Sequence, residues 1–155
     1  MIVVAPVVIG LLYASLMSLL REPTRRRLNA IMVAGAGAAY LSSGGGFGPW
    51  EFVFTAAITY CAYRGLDSYV WIGVAWLLHA AWDVLHFVRG APIIPFASHS
   101  SLGCAICDPV IAIWCLRGGP SLPGLVRSWF PSRPASASGA RVGREHGRAE
   151  QRGPA

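Results

Sequence analysis

The 155-residue chain contains no lysine, and charged residues of any kind make up only 13% of it, against about 25% in an ordinary soluble domain. Set beside a hydrophobic content of 54%, that shortage excludes the solvated surface of a soluble globular protein and assigns the chain to lipid. The missing lysine also removes a P-loop reading of Ser42-Ser43-Gly44-Gly45-Gly46, which is expected to be a flexible turn. All thirteen cations are arginine, a bias that points to a GC-rich bacterial genome. No basic segment and no small-residue cleavage site precede Arg21, so residues 2–20 read as a retained span and not as a signal peptide. There is no internal repeat and no sign of a second domain.

The formal charge of +6 is unevenly spread. Residues 1–116 hold six arginines against five acids, whereas residues 117–155 hold seven arginines against two glutamates. Basicity is therefore a property of the tail, and with no RNA-binding motif or basic helix in the body, nucleic acid is not an expected partner. Weak attraction of the tail to anionic lipid headgroups is expected instead. The chain divides into a transmembrane helical domain over 1–117 and a disordered basic cytoplasmic tail over 118–155, rich in Pro, Ser, Gly, Ala and Arg. Within the tail, residues 125–130 are expected to rest on the membrane surface through Trp129 and Phe130.

Five apolar runs occupy the first domain: residues 2–20, 28–47, 50–63, 68–88 and 96–116. The first is 19 residues long, close to the ~20 that cross the hydrocarbon core as a helix. It stops at Arg21-Glu22-Pro23-Thr24-Arg25-Arg26-Arg27, where Thr24 is placed to cap the next helix. The second carries the small-residue block 34–39, expected to let helix backbones approach at the bundle centre and to offer a homodimer face. The third is short, with Trp50 and Tyr63 as headgroup-level anchors, and the fifth contains Pro109, an expected kink. The fold class is thus all-α, a polytopic transmembrane bundle of about five spans. With the first loop inside and the N-terminus outside, Arg21, Arg25, Arg26, Arg27, Arg64 and Arg117 are all cytoplasmic, as in a multi-pass protein of the bacterial inner membrane. A four-span arrangement with the second and third runs re-entrant fits the charges less well.

Ionisable residues inside these runs mark the expected site, because a charge or imidazole at membrane depth is costly. His79, Asp83 and His86 are spaced i, i+4, i+7 and share one helix face. That face must look into the bundle or a water-filled cavity, since lipid cannot satisfy it. Cys104, Cys107 and Asp108 share a face of the fifth run. Under the five-span topology Asp83, His86, Cys104, Cys107, Asp108 and Glu51 reach the outer half of the membrane.

Three readings compete for this convergence. In the first, His79, Asp83, His86, Cys104 and Asp108 are ligands for Zn²⁺ or another divalent metal, with Asp83 and Glu51 as catalytic carboxylates. The ~10.5 Å rise between His79 and His86 strains both onto one ion, so Asp83 with one histidine and a ligand from the fifth run is the easier set. In the second, the same groups form a proton or ion path. In the third, they only hold the helices together by hydrogen bonds. Cys104-Ala-Ile-Cys107 is also a C-x-x-C, which reads as a disulfide, a redox pair or plain packing. A membrane haem lacks a second axial ligand at the depth of His79. Arg89 reads as an interfacial anchor, and Cys61 and Cys115 as packing.

The segment His79-Ala80-Ala81-Trp82-Asp83-Val84-Leu85-His86, the loop 92–95 and the segment 104–109 resemble a family of small bacterial integral membrane proteins of unknown function, over roughly residues 1–118. The resemblance implies a polytopic membrane location and supplies no reaction. A looser likeness is to membrane hydrolases that set His and Asp ligands around zinc in a helical bundle; those have seven spans and a paired H-x-x-x-H, which this chain lacks. A metal-dependent membrane hydrolase is the favoured expectation, with a small transporter or proton relay, or a non-catalytic scaffold, as alternatives.

Overall fold

A computed structural model describes residues 3–42, 46–94 and 96–124. The expected behaviour of residues 125–155 and of Gly44 and Gly45 lies outside the described residues. The described residues are all-α, with five main helices: α1 Val4–Ser18, α2 Thr24–Ala39, α3 Trp50–Gly65, α4 Tyr69–Val88 and α5 Ser100–Leu116. Each answers to one apolar run, but the boundaries move. Helix α2 starts ahead of its run because arginines are good helix formers; Pro23, not Thr24, holds the cap position, and no side chain caps it. Only α4, at 20 residues, is both long and apolar enough to cross a membrane by length and composition. Helices α1 and α5 are apolar but have 15 and 17 residues. Pro109 lies inside α5 and deprives the Ala105 carbonyl of its helical donor.

Helix α4 occupies the centre and packs against α2, α3 and α5, while α1 lies mainly on α5. The small-residue helix α2 was expected there. It does make a close approach, since a Cβ on Gly37 would stand 2.6 Å from Ile58 Cγ2, but Gly35 has open space around it. The centre goes to α4 because its polar face needs enclosure on every side, which an apolar helix does not.

Helix α1 reverses the usual amphipathic logic. Its buried residues are Pro6, Gly10, Ala14 and Ser18, one every four positions. Its large side chains Val8, Ile9, Leu11, Leu12 and Leu16 point outward. A Cβ on Gly10 would lie 2.9 Å from the Cys107 carbonyl oxygen, so the small ridge is what lets α1 sit directly on α5. Similar outward apolar residues lie on the other helices, among them Ile31, Met32, Phe52, Val53, Leu77, Val84, Leu85 and Ile113. Inside stand Arg25, Asn29, Glu51, His79, Asp83, His86 and Asp108, all buried. These buried polar groups stand beside a hydrophobic core that includes Val33, Ile58, Ile72, Ala75 and Ile111.

The ends of α4 and α5 share one device. Gly90 (φ +67°) follows α4, with Ala91 N–H donating to the His86 carbonyl at 3.0 Å and Gly90 N–H to that of Phe87 at 3.1 Å. Gly118 (φ +83°) follows α5, with Gly119 N–H bonded to the Trp114 carbonyl at 3.0 Å and Gly118 N–H to that of Cys115 at 2.8 Å. Both are Schellman caps, in which a left-handed glycine satisfies the last helical carbonyls.

At the end of the bundle holding the α1–α2 turn, buried Arg25 donates from Nε to Tyr69 Oη at 2.9 Å and pairs through Nη2 with Glu22 at 2.8 Å. Tyr69 also donates to Glu22 Oε1 at 2.7 Å. Partial burial works against the Glu22 charge, but the Tyr69 hydroxyl and the Arg25 guanidinium outweigh it and hold the carboxyl below its ordinary value. A folded value below the unfolded one stabilises the protein above the ordinary carboxyl range, and that contribution fades as pH falls through the folded value. Thermal unfolding in detergent should therefore lose a small increment at the acid end, which Glu22→Gln removes. With the Glu22 side chain 40% exposed, the increment is below about 1 kcal/mol.

Candidate metal centre

The site is built from the polar face of α4. His79, Asp83 and His86 are each no more than 2% exposed, and their partners come from three other helices at two levels.

At the first level, His79 Nδ1 lies 2.7 Å from Asp108 Oδ2 and 2.9 Å from Asp83 Oδ2. The other oxygen of Asp83 accepts a hydrogen bond from the Tyr40 hydroxyl at the end of α2. One ligand atom from each of His79, Asp83 and Asp108 can be chosen so that all lie within 4.8 Å of one another, a group able to hold a metal ion. The meeting of α4 and α5 depends on Gly73, where a Cβ would stand 2.7 Å from Leu116 Cγ and 3.2 Å from the Ala112 carbonyl oxygen. The two helices run antiparallel, and the register that sets Gly73 against Ala112 and Leu116 carries Asp108 to His79. It also brings Cys104 within electrostatic reach of Asp83 and Asp108.

Three electron-rich atoms this close require something positive among them. A proton on Nδ1 serves, and so does a cation. Contacts of 2.7 and 2.9 Å are hydrogen-bond distances as they stand, and a tetrahedral ion with ~2.05 Å bonds would need them to open to about 3.3 Å. The second nitrogen of His79, Nε2, makes no hydrogen bond among the described residues. The rings of Tyr40, Phe54 and Trp76 pack around this imidazole at centroid separations of 5.7, 6.2 and 6.0 Å. Its polar partnerships are therefore all made through Nδ1.

At the second level, Glu51 of α3 accepts from Trp82 Nε1 at 2.9 Å and the Phe47 backbone N–H at 3.1 Å, and lies 3.0 Å from His86 Nε2. The last is an ion-pair contact off the line of a directed hydrogen bond. His86 Nδ1 lies 3.0 Å from the Ala91 carbonyl oxygen, which can only accept, so that nitrogen carries a hydrogen. Ala91 is delivered to it by the α4 cap. The Tyr40 ring packs against His86 at 4.4 Å, tilted by 37°, and against His79 at 5.7 Å, and so lies between the two levels. A Cβ on Gly46 would stand 2.8 Å from Ala91 Cβ and 3.1 Å from His86 Cε1, so only glycine lets the chain cross here.

The expected site residues thus fall into two groups: His79, Asp83 and Asp108 in one, Glu51 and His86 in the other. Cys104 stands beside the first and is half-buried; Cys104, Cys107, Cys61 and Cys115 are all free thiols. His99 is exposed at the start of α5. Two participants were missed by the sequence reading. Tyr40 follows a run of small residues and precedes a Ser/Gly turn, with nothing at either side to mark it. Trp82 carried a signal, since it sits next to Asp83 and an indole N–H inside a bundle needs an acceptor.

Residues 1–121 match a family of unknown function, DUF6010. The chain belongs to DUF6010. No curated protein and no solved structure matches it. The DUF6010 match takes in all five helices and every residue of both groups.

Proposed function

We propose that this DUF6010 protein is a five-span membrane protein, N-terminus outside, whose core binds a divalent metal ion through His79, Asp83 and Asp108. We further read it as a metal-dependent hydrolase of a lipid or other membrane-partitioned substrate. The observation that carries the metal reading is the convergence of one imidazole and two carboxylates, none more than 4% exposed, from two helices on one point. Cys104, within electrostatic reach of both carboxylates, is the residue we assign as a further ligand. The membrane reading rests on the outward apolar side chains and the polar interior. A divalent ion supplies Lewis acidity in such a site. Asp83 holds its place through Tyr40, and Glu51, paired with His86 across the Tyr40 ring, is the carboxylate we assign to proton transfer.

A proton relay is the second reading, favoured by one observation: Asp108, His79, Asp83 and Tyr40 form an unbroken chain of polar contacts. Elemental analysis of the detergent-purified protein separates the two. Near-stoichiometric metal in the wild type, lost in the His79→Ala, Asp83→Ala double variant, is the expected result. No metal in either protein sinks the hydrolase reading, and pH-dependent flux in proteoliposomes would then establish the relay.

A further inference from the structure

Arginine is concentrated at one end of the bundle. Arg25 contacts Tyr69, Arg26 Nε donates to the Leu66 carbonyl at 2.8 Å, and Arg64 stacks over Trp71 at 5.0 Å, so the α1–α2 and α3–α4 turns lie side by side. The end of α5 joins them: Ser18 Oγ bonds the Pro120 carbonyl at 2.9 Å, and Gly119 packs on the Tyr69 ring. Arg21, Arg25, Arg26, Arg27, Arg64 and Arg117 all belong to this end, against two acids, Glu22 and Asp67; Arg89 stands at the other. Glu22 is already engaged by Arg25. Arg21 and Arg27 are exposed and make no side-chain hydrogen bond or ion pair among the described residues.

Aromatic rings surround this charge. Tyr60 and Tyr63 are 53% and 68% exposed, and Arg64 Nη1 donates to Tyr60 Oη at 3.2 Å. A guanidinium laid on an indole beside exposed tyrosines keeps most of its N–H donors turned outward, at the level where aromatic belts meet headgroups. The uncommitted guanidiniums of Arg21, Arg27 and Arg117, which is likewise exposed and without a side-chain hydrogen bond or ion pair among the described residues, and the one held on an aromatic face are suited to phosphate oxygens carrying negative charge.

We propose that this end binds the phosphates of anionic phospholipids, with Arg21, Arg27 and Arg64 making the contacts. The proposal rests on the membrane reading above but not on the metal or the reaction. The choice of lipid over free phosphate follows from the surroundings, since Arg64 lies on Trp71 beside the exposed Tyr60 and Tyr63, and exposed Leu19, Leu66 and Leu116 stand at the same end of the helices, apolar surface that acyl chains cover.

The test uses the full chain in detergent, mixed with equal amounts of phosphatidylglycerol and phosphatidylcholine, with retained lipids counted by native mass spectrometry. Wild type is expected to retain phosphatidylglycerol preferentially. The preference should fall roughly fivefold for each arginine removed in the Arg21→Gln, Arg27→Gln, Arg64→Gln variant, and be unchanged in Arg89→Gln. Should the triple variant misfold, Arg21→Gln with Arg27→Gln touches only partnerless side chains and still gives a partial loss. Equal retention of both lipids by wild type, or an unaltered preference in the variants, overturns the proposal. Displacement of phosphatidylglycerol by excess inorganic phosphate overturns it in favour of a soluble anion. Failure of the chain to co-float with vesicles of any composition would instead remove the membrane reading beneath it.

Discussion

Glu51→Ala lowers the unfolding free energy of the detergent-solubilised protein by about 2–5 kcal/mol, the largest stability effect expected of any single substitution in the polar core. Glu51 is 2% exposed and serves Trp82 Nε1, the Phe47 N–H and His86 Nε2 together. Truncation leaves the Trp82 indole N–H and the Phe47 N–H without their acceptor and removes the carboxylate beside His86 Nε2, and the site is enclosed by Phe47, Trp82 and Tyr40 rings. The one interhelical hydrogen bond, from Trp82, at the ~0.6 kcal/mol average in membranes, and the Phe47 N–H left without an acceptor, at about 1–3 kcal/mol, together give the lower bound. The upper bound comes from the buried contact with His86, since removing one partner of a buried pair costs about 3–5 kcal/mol. Glu51→Gln separates the terms: its carbonyl oxygen still accepts from the indole or the amide, but its amide group cannot accept from His86. It should cost less than half as much. Denaturant titration of both variants checks this; equal effects would mean that the carboxylate contact with His86, not volume or the other two hydrogen bonds, is what Glu51 supplies.

How much of this was readable from the sequence differs between the two levels. The i, i+4, i+7 spacing of His79, Asp83 and His86 puts them on one face whatever surrounds the helix, so the inward polar face was legible without coordinates. That Asp108 is a partner followed from its lying in an apolar run. Which partner meets which was not legible, because pairing depends on the sliding register of α4 on α5. That register is set by Gly73 beneath Leu116 and by Pro109 within α5, neither of which reports a distance. The assignment of Glu51 to His86 was hidden for a related reason: it depends on the α4 cap, where Gly90 returns Ala91 to the imidazole and Gly46 leaves room beside both. The central position given to α2 illustrates the opposite difficulty. Small residues show where backbones can come close, and α1 uses such a ridge against α5, but composition alone does not say which of several small-residue helices will be enclosed.

Asp83→Asn is expected to weaken metal binding by at least about 100-fold while leaving the helices intact. The carboxamide has the shape of the carboxylate, and its carbonyl oxygen can still accept the Tyr40 hydroxyl, so the link between α2 and α4 survives. What is lost is one negative charge and one of the ligand oxygens facing His79, and a divalent cation at a buried position needs that charge for neutrality as well as for coordination. Tyr40→Phe probes the same centre from behind. It keeps the ring that packs between His79 and His86 and removes only the hydroxyl that orients Asp83, an outer-shell contact whose loss typically costs 10–100-fold in affinity. The order wild type, Tyr40→Phe, Asp83→Asn, read by competition with a metallochromic chelator, is what a coordination centre requires. A purely hydrogen-bonded core predicts the reverse emphasis: no metal retained by any of the three, and a thermal shift that is larger for Tyr40→Phe, because removing the hydroxyl leaves Asp83 Oδ1 buried without a donor, whereas Asp83→Asn keeps that bond.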